Sequence, residues 1–138
     1  MSLTIAEARD EILTLFRTGW VAAYPTAPIL WADRTSDDDL PTDPIWCRAT
    51  VLHTAGFNDA IGNKIFGRSG TVTIQIFTRY GSGLTNNDVA AKVALDTFQG
   101  QATPGGVWFR DVTLNEVGQD GDWFQSNVLA TFEYTERL

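Results

Sequence analysis

The sequence predicts an α/β (α+β) fold, a single mainly antiparallel sheet with two helices packed on it, in the order α-β-β-β-α-β-β. Three observations predict it. Two stretches carry apolar residues at helical spacing, each as one stripe that needs a single apolar surface to cover it. Several other stretches alternate apolar and polar residues, the period of a half-buried strand. The last third reads as two strands of similar length joined by a glycine-bearing turn.

The first helix opens on Thr4-Ile-Ala-Glu7, a capping box in which the Thr4 hydroxyl accepts from the third helical amide and Glu7 reaches back. Ile5, Ala8, Ile12, Leu15, Phe16, Gly19 and Trp20 then fall on one stripe, so the helix runs from Ile5 to Ala23 and stops before Pro25. Ile29-Leu30-Trp31 is a short strand, and Asp33 to Pro44, with three consecutive aspartates and two prolines, is a loop. Ile45–Thr54 and Gly70–Arg79 alternate as strands. Between them Ala55–Ser69 holds Gly56, Gly62 and Gly67 and is long for a hairpin connection, which points to an extended arm or an ordered functional loop.

Gly81-Ser-Gly83 breaks the chain, and Thr85 is placed to cap the second helix with Asp88 three residues on. Its stripe is Val89, Ala90, Val93, Ala94 and Phe98, and Gly100 ends it. The final two strands each open on an aromatic pair, Trp108-Phe109 and Trp123-Phe124, and turn through Gly118-Gln119-Asp120-Gly121. On the last strand Val128, Ala130, Phe132 and Tyr134 share one face. Ile12, Phe16, Ile74, Val93, Val128 and Phe132 are the expected core.

With 138 residues and no internal repeat or change of composition, the sequence reads as one domain over 1–138. A chain of this size buries roughly 68% of its extended surface, enough for a core without disulfides or metal. Five tryptophans and eight phenylalanines are generous, and large aromatics anchor interfaces as well as cores. A net charge of −7 argues against binding to the nucleic-acid backbone or an anionic membrane. The single cysteine, Cys47, excludes an internal disulfide and reads as a small buried hydrophobe. No run of 18 apolar residues and no basic leader is present, so a soluble cytoplasmic product is expected.

No catalytic constellation emerges. His53 is the only histidine, and Cys47 lies six residues away on one predicted strand, about 20 Å along it. Asp37-Asp38-Asp39 lacks the spacing and glycine of a calcium loop. Gly81-Ser-Gly83 is not followed by a phosphate-binding motif. Asp111 and Glu116 face opposite sides of a strand. The expectation is a protein that is not an enzyme and carries no cofactor or metal.

The 55–69 segment offers a different kind of site. Phe57, Ile61, Ile65 and Phe66 are too many apolar groups for a freely solvated loop, and Lys64 and Arg68 lend it local positive charge. The segment either folds back over its own core or meets a neighbouring subunit, with the two phenylalanines as anchors and the cations at the rim.

Helix 1, with Ala6-Glu-Ala-Arg-Asp-Glu-Ile12, the strand Gly70-Thr-Val-Thr-Ile-Gln-Ile-Phe-Thr78, and the hairpin from Gly106-Val-Trp-Phe-Arg-Asp-Val112 to Phe132-Glu-Tyr134 resemble the tail terminator proteins of long-tailed bacteriophages. The resemblance runs in order from Glu7 to Tyr134; Ile45–Thr54 matches in type only, and the Asp33–Pro44 loop is not covered. It implies a homohexameric ring that sits on the finished tail tube protein and halts polymerisation. The ring then presents a surface to a head-completion or neck protein. It also implies assembly in the host cytoplasm, a final place in the virion tail, and DNA that passes through the ring without specific binding. No catalytic residues carry over. Asp33, Asp37, Asp38 and Asp39 are candidates to line that conduit. Two other readings stand beside it: another small connector, neck or tail-tube component, and a small cytosolic enzyme or ligand-binding domain.

Overall fold

The computed structural model describes residues 3–31, 41–60, 62 and 64–137. Helix α1 spans Ile5–Ala23, and its capping box is complete: the Thr4 hydroxyl accepts from the Glu7 amide at 3.2 Å and the Glu7 carboxylate accepts from the Thr4 amide at 3.0 Å. Hydrogen bonding from the Thr4 amide, and then from its hydroxyl, holds the Glu7 carboxyl below its usual range. Strand β1 (Ile29–Trp31) follows, then β2 (Ile45–Ala60) and β3 (Ile65–Arg79). Helix α2 (Thr85–Phe98), β4 (Trp108–Asp120) and β5 (Trp123–Arg137) complete the α-β-β-β-α-β-β order. The five strands form one sheet in the order β1-β2-β3-β5-β4, with only β1 parallel to its neighbour. The fold class read from the sequence is the one observed.

Both helices cover the same sheet face. Cys47, Ala49 and Val51 of β2, Val72, Ile74 and Ile76 of β3, and Val128, Ala130 and Phe132 of β5 meet Ala8, Ile12, Phe16 and Trp20 of α1 and Ala90, Ala94 and Phe98 of α2. Phe16 stacks on Phe98 with ring centres 6.1 Å apart, joining the two helices. They approach closely because Gly19 leaves room for the Thr97 hydroxyl, which a Cβ at Gly19 would meet. Among the described residues no helix is long and apolar enough to cross a membrane.

Four local expectations are corrected. Ala55–Ser69 is not a linker: β2 and β3 stay paired to Ala60↔Ile65, with irregularities at His53/Ala55 and Asn58/Ala60. Gly56 and Gly67 mark close approaches within a sheet, to Arg68 and Phe57, while Gly62 (φ 85°) sits at the hairpin end. The Phe57 phenyl occupies the place of a Cβ at Gly67, and the Leu52 carbonyl and Phe132 crowd Gly70.

The C-terminal hairpin turns at Gly121-Asp122, between the paired Asp120 and Trp123, while Gly118 (φ 101°) sits at a bulge. Helix α2 is not capped by Thr85; Leu84 occupies the cap position without a side-chain bond. The α2 stripe is also rotated. Val89 is 52% exposed and Val93 only half-buried, whereas Asn87, Ala90, Ala91, Ala94 and Phe98 face the sheet. Small residues let α2 sit low, and buried Asn87 is held there by the Thr78 hydroxyl (3.1 Å) and the Ser126 hydroxyl (2.5 Å). The other expected core residues, Ile12, Phe16, Ile74, Val128 and Phe132, are fully buried.

Candidate assembly surface

The β2–β3 hairpin gives the 55–69 residues a framework. β4 pairs with β5 only as far as Trp108↔Glu133, so the sheet continues as three strands, β2, β3 and β5, out to Ile65↔Arg137. Phe57 lies over its cross-strand partner Gly67 and stays 49% exposed. Phe66 stands one register position further on, so it belongs to the opposite sheet face, where it is half-buried. The Arg68 guanidinium sits 5.8 Å from the Phe66 ring centre and bonds Glu136 through Nε (3.2 Å) and Nη2 (3.1 Å).

Arg68 is therefore satisfied inside the subunit, while Lys64 is exposed with a left-handed backbone (φ 51°) near the hairpin end. Ile65 is half-buried. Ile61 lies outside the described residues, as do Asp33, Asp37, Asp38 and Asp39. Five of the six proposed interface residues thus share one hairpin, with an aromatic on each of its faces.

Under the hairpin, His53 and Tyr134 form a polar pair, Nε2 to hydroxyl 2.6 Å. The His53 ring meets Phe132 (5.3 Å) and Tyr134 (5.7 Å) edge-on, and its Nδ1 is buried without a partner. Burial, reinforced by the charges of Arg9 and Arg68, pushes the His53 pKa down, and burial pushes the Tyr134 phenol up. A neutral imidazole accepting from the tyrosine hydroxyl fits this setting. Cys47 is fully buried, its thiol pushed up by desolvation, and lies about 20 Å along the strand from His53. The two do not form a nucleophile–base pair. Among the described residues no group of three histidine, cysteine or carboxylate side chains is placed to hold a metal ion.

Two features escaped the sequence reading. On the sheet face away from the helices, Trp46 stacks on Phe77 (4.1 Å) and meets Trp123 edge-on (5.6 Å), with the Arg79 guanidinium 4.2 Å above Trp123. Its signal was in the alternation, since Trp46 and Phe77 are out of phase with Cys47 and Ile76. The second is a groove of about 660 Å³ between α1 and the β2 edge, lined by Arg9, Leu13, Arg17, Trp31, Val51 and Leu52 among others. Arg9, Leu13 and Arg17 recur every four residues on α1, a row beside the apolar stripe.

No family profile matches the sequence, and no curated protein matches it. Solved structures do match the fold. A chain of unstated role aligns over 91% of this protein and 94% of its own length, with a TM-score of 0.67 and 17% identity. A chain from the virion of a native gene transfer agent (GTA) particle covers 92% of each chain at 18% identity, with a TM-score of 0.60. At these identities the likeness is one of fold.

Proposed function

We propose that this chain is a structural subunit of a phage-like virion and, within it, the tail terminator. In that role it assembles as a homohexameric ring, caps the tail tube protein, ends tail polymerisation and offers a docking face to a head-completion or neck protein. The observation that carries the reading is the fold match to a GTA virion chain, which covers 92% of each partner. Its support from the molecule is an arm built for contact: a sheet extension with Phe57 half exposed on one face and Phe66 on the other. The described residues do not offer an assembled nucleophile, base or metal set that would favour an enzyme.

The charge fits a conduit. Six copies at −7 carry six times that, or −42 formally, and lumen-facing carboxylates repel DNA phosphates across a screening length of about 8 Å at physiological salt. Nanomolar retention of duplex DNA by the assembled ring would contradict this part. Mass measurement and imaging of the purified protein test the whole reading. A terminator gives closed rings of six and no fibres, whereas a tube component stacks into fibres of indefinite length.

A further inference from the structure

We propose that the channel between α2 and the outer edge of β4 takes an extended, positively charged segment of a different protein, paired to β4 as a sixth strand. The inference goes beyond the ring reading and holds whether or not six copies close into a ring.

The edge itself is open. β4 ends the sheet on the side opposite β1, four strand spacings or about 19 Å away, and the walls beside it are described residues. Only Ala102, bridging to Trp108, touches the outer side of β4 among the described residues. Irregularities at Phe109/Val112 and Glu116/Gly118 leave Val112 to Glu116 as a regular stretch between them. An uncovered stretch of this kind pairs with other chains.

The channel has a helical wall. Thr97 faces Gly19 of α1, so Leu84, Asp88 and Leu95 stand on the opposite flank of α2, beside β4. On β4, Val112, Leu114 and Glu116 pair with Ala130, Val128 and Ser126, whose side chains lie on the helix side of the sheet. All three therefore face the same channel. Leu84 is 53% exposed and Leu114 40%, apolar surface that nothing in the subunit covers among the described residues. Asn87 ties Ser126 to α2, and Ser126 is the register partner of Glu116, which brings Asp88 and Glu116 to one end of the channel. Both carboxylates are exposed, and the ion pairs among the described residues, Arg68–Glu136, Lys92–Asp96 and Arg110–Glu133, include neither.

These features define the occupant. An open edge calls for an extended segment, because added strands bind through their backbone and are selected by alternate side chains. Leu84, Leu95 and Leu114 call for apolar residues on its inward face, and Asp88 and Glu116 call for a cation at its end. A second copy is a poor source. Arg9, Arg48, Arg68, Arg79, Lys92 and Arg110 are held by partners within the subunit, and two β4 edges laid together would join two acidic channels. The partner is a protein that is basic where this one is acidic.

The probe is the peptide Lys-Thr-Val-Thr-Val-Thr-Val-Thr-Lys, whose valines and end lysines share one face when extended. Backbone amide shifts of the full-length protein locate its binding, and titration gives its affinity. Saturable binding is expected, with shifts centred on Val112–Glu116 and on α2. N-methylation of one of the two alternate sets of peptide residues should abolish it. Asp88→Lys with Glu116→Lys should weaken it at least about tenfold and favour the same peptide with glutamates for lysines. Both positions are exposed, so the fold should persist, and Glu116→Lys alone serves should the double variant misfold. Absence of saturation by about 1 mM peptide would overturn the proposal. So would shifts centred elsewhere, equal binding of both methylated peptides, or indifference to the charge reversal.

Discussion

Phe57 lies across Gly67, its partner on the neighbouring strand, and fills the space that a side chain at Gly67 would occupy. The glycine is thus half of a packing pair that lets an aromatic lie flat on the sheet extension. Gly67→Ala should cost about 1 kcal/mol, since the half-exposed phenyl can swing aside, and most of that cost should vanish in a Phe57→Ala background. Gly70→Ala should cost about 3 kcal/mol or more, because the added methyl meets the Leu52 carbonyl and the His53 backbone, which cannot move. Chemical denaturation of the four variants checks the ordering; equal costs at the two glycines would contradict it.

Asn87 offers a second test. Its amide links α2 to the sheet through Thr78 and Ser126, all three buried. Asn87→Ala strands two hydroxyls and should cost about 1–3 kcal/mol in unfolding free energy. A cost near zero would mean that water replaces the amide.

His53 should make the fold sensitive to acid. Its folded-state pKa is lowered while the unfolded value is about 6.5. Below that pH the unfolded chain takes up a proton that the folded chain refuses, so this contribution falls as the pH drops toward the lowered folded value and then levels off. His53→Gln retains an acceptor for Tyr134 but cannot titrate. Denaturation midpoints followed from neutral to mildly acidic pH should fall faster for the unaltered protein than for the variant. Parallel curves would show that the imidazole titrates as freely folded as unfolded.

The arm itself is tested by Phe57→Ser with Phe66→Ser. The subunit should stay folded, because the core beneath the helices is untouched, while ring assembly or tail capping weakens. Aromatic anchors commonly contribute 2 kcal/mol or more on truncation. Unchanged rings that still cap tails would remove the arm from the interface.

Much of the fold was legible because its signals are local. The Thr4–Glu7 box and the four-residue stripe of α1 are written within one helix, and the alternation of β5 within one strand. What the sequence hid depends on tertiary contact. Gly56 and Gly67 read as breakers, yet they pair within the hairpin, where the Arg68 and Phe57 side chains fill the space beside them. Asn87 in the first turn of α2 carries no local signal of burial, and only its partners on β3 and β5 make it a buried residue. Val89 and Val93 follow helical spacing as well as Ala90 and Ala94 do, and the close seat of α2 selects the smaller pair. Of the assembly surface, the aromatic content of 55–69 was visible, but its two-sided display was not, since it follows from the β2–β3 register. The groove lies between α1 and the β2 edge, so no single segment encodes it.

The most direct test of the terminator reading is to add the purified protein to tail-tube protein during polymerisation and measure tube lengths by electron microscopy. The account predicts that tubes stop growing and that a single ring of this protein is found at one end of each. Tubes that lengthen unchecked, or that carry the protein all along their walls, would contradict it.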